Sequence, residues 1–202
     1  MQGTLIILLC IGSAICYGIV HDQITARICV EYFTIGHPPV FGTDSPTLLG
    51  FGWGVIATWW VGLILGVPLA MAARLGQRPM RTAAWLVRPI AILLLVMACC
   101  AVLAGVIGYI LARNRVVFLV GPLASAVPVE RHVPFLIDLW SHNASYLAGF
   151  VGGIVLAVVT WKSRRPATDN PPTPAQCPEW GTVVVRNNPA NPASDSLRNE
   201  LP

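Results

Sequence analysis

Chemistry needs ionisable side chains held close together, and this chain gathers its histidines and most of its acids in two stretches. All four histidines (His21, His37, His132 and His142) and five of the nine acids (Asp22, Glu31, Asp44, Glu130 and Asp138) lie within residues 21–47 and 113–144. The later stretch contains P-F-L-I-D-L-W-S-H-N-A-S-Y, in which Pro134 suits the first turn of a helix. From there Asp138, His142 and Ser145 recur at i, i+4 and i+7, a polar stripe on an otherwise apolar helix. A carboxylate and an imidazole one turn apart can share a metal ion, or the carboxylate can orient the imidazole. The earlier stretch, H-D-Q-I-T-A-R-I-C-V-E-Y-F, has no Gly or Pro before Gly36 and predicts helix to about Phe33, with His21 and Thr25 on one face. If the two helices are neighbours, His21 and Glu31 face the stripe. His21, Glu31, Asp138 and His142 are therefore candidate ligands for a divalent metal such as zinc. Asp138, His142 and Glu31 are the candidate catalytic groups.

A plainer reading competes. Glu31 stands four residues after Arg27 and can simply pair with it. Asp138 and Glu130 can neutralise Arg113, Arg115 or Arg131. The spacing matches neither H-E-x-x-H nor H-x-x-x-H, and no G-x-S-x-G, P-loop or dinucleotide fingerprint occurs. The six cysteines include no C-x-x-C pair and read as small buried hydrophobes.

The elements that must position these groups are membrane helices. The chain has 202 residues, 55% hydrophobic and only 11% charged, with a mean hydropathy of +0.66; soluble domains carry about 25% charged residues. Charge-free runs cover Thr4 to Val20, Leu48 to Ala73, Pro89 to Ala112 and Ser145 to Trp161. A helix needs about 20 apolar residues to cross the hydrocarbon, so the first run borrows Met1 to Gly3 and the last starts upstream, near Pro134. In lipid the backbone must satisfy itself, which leaves helices. The expected fold is an all-α integral membrane four-helix bundle: a transmembrane domain over residues 1–161, outer loops at 21–47 and 113–144, and a disordered Pro-rich tail over 162–202. The first run lacks a basic residue before its apolar core and a clear A-x-A site after it, so it reads as an uncleaved helix rather than a signal peptide.

Arg74, Arg78, Arg81, Arg88, Lys162, Arg164 and Arg165 cluster at one end of these helices, against Arg27, Arg113, Arg115 and Arg131 at the other. The positive-inside rule makes the first end, with both termini, cytoplasmic. Trp85 and Trp161 then lie at the inner interface, Trp53 and Trp140 near the outer one. Gly62 with Gly66, Ala101 with Gly105, and Gly149 with Gly153 put small residues on single helix faces, as close packing or dimerisation requires. The charges are not arranged for nucleic acid.

The run YGIVHDQITARICVEYFTIGHPPVFGT (Tyr17 to Thr43), followed by GWGVIATWWVG (Gly52 to Gly62), resembles a group of small bacterial multi-pass membrane proteins with no assigned activity. The resemblance covers about the first third of the chain and implies a bacterial inner-membrane setting. Three function classes follow. The favoured one is a structural or partner-binding membrane component, with a second copy or another membrane protein as partner. The next is a metal-binding protein or metal-dependent membrane enzyme with a His/carboxylate site. The last is a small transporter or channel subunit, disfavoured by the lack of polar residues at mid-membrane.

Overall fold

The computed structural model describes residues 1–164; the tail expected from residue 162 onward lies, from 165 on, outside the described residues. The elements are α1 (Gln2–Ile28), α2 (Val30–Thr34), α3 (Pro46–Ile56), α4 (Trp59–Arg74), α5 (Ala83–Arg113), α6 (Pro122–Ala126), a 3-10 turn (Val129–Arg131) and α7 (His132–Lys162). Among the described residues there is no strand. Four helical stretches are long and apolar enough to cross a membrane: Gln2–Ile28, Pro46–Arg74, Ala83–Arg113 and Val129–Lys162. The protein is an all-α, four-span integral membrane bundle.

The helices outrun the charge-free stretches that announce them. The segments 21–28 and 132–144, counted with the outer loops by charge but expected as helical extensions, are helix continuous with the spans. Sequence charge marks where lipid ends; it does not mark where backbone hydrogen bonding ends. The second span is jointed. It leaves regular helix at Ala57 and Thr58, where the Thr58 hydroxyl donates back to the Gly54 carbonyl at 2.5 Å, a bond that competes with the backbone ladder and bends helices. The first helix also ends earlier than Phe33. Cys29 is extended (φ −146°, ψ 97°), and the chain re-enters helix as α2 in a new direction. The apolar stretch 116–129 folds back on the bundle, burying Leu119 and Val127 beside Phe135.

Lipid tails are as apolar as leucine, so these helices associate through close backbone approach. The broad apolar side chains (Leu8, Ile64, Leu95, Val102, Leu147, Ile154) point outward. The faces between helices carry glycine. A Cβ added at Gly54 would stand 2.6 Å from Ile19 Cα, one at Gly62 2.7 Å from Ile11 Cα, and one at Gly50 2.8 Å from the Asp22 carbonyl oxygen. The second span thus lies directly on the backbone of α1. On the other side, a Cβ at Gly105 would meet Ser141 Oγ at 2.5 Å and one at Gly108 would meet Trp140 Cγ at 2.9 Å, which seats α5 on α7. Larger side chains fill the two ends. Phe33, Phe135, Trp53 and Leu136 form one cluster near α2; Ile6, Leu69, Leu86 and Ile90 form the other, near the N-terminus.

Gly54→Ala tests this packing. In a helix the substitution gains about 1 kcal/mol of propensity, yet here it must push apart two backbones, an overpacking cost of about 1–3 kcal/mol. Its melting temperature in detergent is expected to fall. Gly12→Ala, where an added Cβ meets nothing within 4 Å, is expected to leave it level or raise it; equal behaviour of the two would refute the close-contact account.

Candidate metal centre

The end of the bundle away from the N-terminus of α1 and the C-terminus of α7 holds nearly all the polar side chains buried between helices. Counting back from Trp161 at about 1.5 Å per residue, His142 sits about 28 Å away along α7, near the far edge of a hydrocarbon layer about 30 Å thick. The cluster starts with Tyr17 Oη and Ser145 Oγ, 2.8 Å apart, which bridge α1 and α7. One turn further, the His21 ring stacks on Tyr17 (centroids 5.8 Å, 15° between planes) and meets His142 edge-on at 4.5 Å. Tyr32 stacks on His142 at 4.5 Å, and Phe33 lies 5.8 Å from it. His142 is thus held between α1 and the short α2, itself 6% exposed.

Hydrogen bonding fixes what His142 can do. Its Nδ1 lies 2.8 Å from the Asp138 carbonyl oxygen. A carbonyl only accepts, so Nδ1 carries the proton and donates it. In the neutral ring Nε2 is then a lone pair, and it faces Asp22 Oδ1 at 3.2 Å. An ionised carboxylate also only accepts. Two lone pairs so placed need a cation between or upon them, either a proton or a metal ion. Two ligands of a tetrahedral zinc with bonds of about 2.0–2.2 Å stand about 3.3–3.6 Å apart, a little more than the 3.2 Å found. One ligand atom each from His21, Asp22 and His142 lies within 4.8 Å of the other two. His21 Nε2 is buried with no hydrogen-bond partner. The three side chains also line a cavity of about 40 Å³ with Tyr17, Thr58, Ser145 and Tyr146.

Of the residues singled out in the sequence, His21 and His142 come together, and Glu31 and Asp138 take other places. Asp138 is fully buried one turn before His142; neither carboxylate oxygen has a hydrogen-bond partner, and the side chain is not in the three-residue group. Glu31 pairs with Arg131 (Oε2 to Nε 2.8 Å) and accepts from Cys29 Sγ at 3.3 Å. Burial alone would raise its pKa, but Arg131 and the bonds around it outweigh this and hold the carboxyl below its ordinary value. The expected Arg27–Glu31 pair does not form. The extended residue Cys29 turns Glu31 away, and Arg27 bonds Gln23 and Thr47 instead. His132 Nε2 lies 3.0 Å from the Val127 carbonyl and His37 Nδ1 2.9 Å from that of Tyr32, both bracing loops.

Asp22 was named in the sequence among the clustered acids but not as a ligand, because no spacing tied it to the His142 stripe. Its signal was position. Gly18, Asp22 and Thr25 share the buried face of α1, and a carboxylate on the small-residue face of a spanning helix has no water to turn to.

No protein-family model, no curated protein and no solved structure matches the chain.

His37 offers a pH test of this end of the bundle. Burial lowers its pKa, the Tyr32 carbonyl opposes, and the net direction is below the ordinary value; the ring packs against Trp53 at 4.6 Å and Phe33 at 5.8 Å. The unfolded chain then takes up a proton first as pH falls. Stability is full above the ordinary imidazole value of about 6.5 and drains away below it. Detergent melts are expected to fall more steeply with acid in the wild type than in His37→Gln; parallel curves would refute the assignment.

Proposed function

We propose that this membrane protein is a metal-binding protein, holding a divalent transition metal ion between His21, Asp22 and His142 at the edge of the bilayer. The observation that carries this reading is the confrontation of His142 Nε2 with Asp22 Oδ1, with Nδ1 already committed to the Asp138 carbonyl. That is how proteins prepare an imidazole for a metal: the distal N–H is fixed by a carbonyl and the other nitrogen is left bare. Nitrogen and carboxylate donors without thiolate suit zinc, and three protein ligands leave a fourth position for water or substrate, as in hydrolytic zinc sites. A metal-dependent membrane enzyme is the form of activity this donor set favours.

The structural-partner reading has no comparable support. Gly62, Gly66, Gly105, Gly149 and Gly153, the small residues a partner helix would use, all have neighbours within this chain. A transporter reading gains little from the interior either: the cavity of about 80 Å³ below the site is lined mainly by apolar groups such as Leu65, Leu69 and Leu93, with Ser13 and Cys10 and no charged side chain.

The setting we propose is a bacterial inner membrane, with both ends of the chain cytoplasmic. Arg74, Arg78, Arg81, Arg88, Lys162 and Arg164 gather at the end of the bundle where α1 begins and α7 ends, while the acids among the described residues all lie at the other. Six basic residues at that end against Arg27, Arg113, Arg115 and Arg131 at the other support the positive-inside assignment, and on that reading the histidine site faces outward.

Metal analysis of the detergent-purified protein is expected to give about one zinc-class ion per chain. His21→Ala/His142→Ala should lose it while remaining folded and membrane-inserted, and Asp22→Asn should weaken retention against a chelator by about tenfold or more. Metal-free wild-type protein that still fails to take up added zinc would rule the reading out.

A further inference from the structure

The opposite end of the bundle has its own unresolved chemistry, independent of the metal site. Arg164, just past α7, is fully buried. Its guanidinium donates to four backbone carbonyls: Pro79 (2.8 Å), Ala72 (2.6 Å), Leu75 (2.8 Å) and Arg78 (3.0 Å). These close the α4–α5 loop onto the end of α7. Arg81 does the same in reverse, donating to the Ser163 carbonyl at 2.6 Å, while its Nε is buried with no partner. Arg78 and Arg164 lie over the Trp161 ring at 5.0 and 5.3 Å, and Arg81 over Trp85 at 4.7 Å. Arg74, Arg78 and Arg81 are close enough for their fields, after burial itself, to push the pKa of Arg164 downward.

Four guanidinium groups thus meet at one corner, and among the described residues every partner they have is neutral. Carbonyl oxygens and ring faces satisfy donors; they do not cancel charge. Among the described residues no acid lies at this end. A set of like charges that the fold draws together needs an anion to be stable. Trp85 and Trp161, each 40% exposed, are the side-chain type that settles at headgroup depth, so the anion at hand there is a lipid phosphate. Guanidinium groups bind phosphate oxygens in pairs, and basic pockets between spanning helices hold anionic headgroups.

We propose that the corner formed by Arg74, Arg78, Arg81 and Arg164 binds the headgroup of an anionic phospholipid. The lipid phosphate lies against the exposed Arg78, with the partly buried Arg81 adding its charge beside it, and its chains lie along the apolar flank of the bundle. A zwitterionic lipid brings its own ammonium group and leaves the arginine charge standing, so the site discriminates by net charge.

Native mass spectrometry of the full chain in detergent tests this, with phosphatidylglycerol or phosphatidylcholine added at equal concentration. Wild-type protein is expected to retain phosphatidylglycerol in clear preference. Arg78→Gln/Arg81→Gln should weaken that retention by about tenfold or more, and Arg78→Gln alone, an exposed position, should weaken it without disturbing the fold. Arg88→Gln, at the same end but outside the corner, should match the wild type. Equal retention of the two lipids, an undiminished double variant, or full displacement of the lipid by inorganic phosphate at matched phosphate concentration would each overturn the proposal; the last would make this a free-anion site.

Discussion

A helix in a bilayer gains nothing by hiding a leucine from lipid, so what holds α1 in this molecule is the distance its backbone can reach. Gly50, Gly54, Gly62 and Gly66 present a nearly flat surface along α3 and α4, and α1 lies on it over almost its whole length. The consequence is rotational. With Gly50 seated on the carbonyl of Asp22 and Gly54 on Ile19, α1 has one orientation, and in it Asp22 turns inward and His21 meets α7. The same rule acts between α5 and α7, where Gly105 and Gly108 admit Ser141 and Trp140 and so set the rotation of the helix that carries Asp138 and His142. The polar cluster follows from the glycine contacts, which fix both of its walls.

The roof of the cluster is arranged separately. Glu31, read from sequence as a ligand, anchors through Arg131, whose Nη2 also donates to the Ile28 carbonyl at 3.2 Å. This clip pins α2 to the start of α7 and holds Tyr32 and Phe33 over His142. Aromatic walls exclude water, and the lower local dielectric strengthens every charge interaction inside. A carboxylate spent as a tether thereby raises the value of the carboxylate and imidazoles beneath it. Asp138 contributes its backbone carbonyl to the tautomer of His142. Its own carboxylate, buried and unpartnered, is the residue whose side chain this geometry leaves without an account.

Much of the fold was legible because the bilayer leaves a chain few choices. Four charge-free runs could only be helices, and their small-residue spacing announced close packing. What stayed hidden involved direction. The i, i+4 argument for Arg27 and Glu31 was sound for an unbroken helix, and a single extended residue, Cys29, undid it; nothing in I-C-V marks that break. His21 and His142 were nameable from their types, and their meeting depended on which spans are neighbours, a property of glycine contacts between helices far apart in sequence. Asp22 was visible only to a reader asking which face of α1 is small, since its value comes from the Gly18 face and from no spacing to His21.

The donor set itself says something about where such a site works. Cys29 is buried near the cluster, yet it lies outside the three-residue group and its Sγ is turned to Glu31. Nitrogen and oxygen donors do not depend on a reducing compartment to stay free, as thiols do. On the proposed orientation the histidines face outward and the arginines face the cytoplasm. The charge distribution carries that orientation, and the ligand chemistry is compatible with it without adding to it. A metal held there would be exchanged through the distal end of the bundle, because the interior below Tyr17 and Ser145 is lined mainly by apolar side chains, with no carboxylate or imidazole among them.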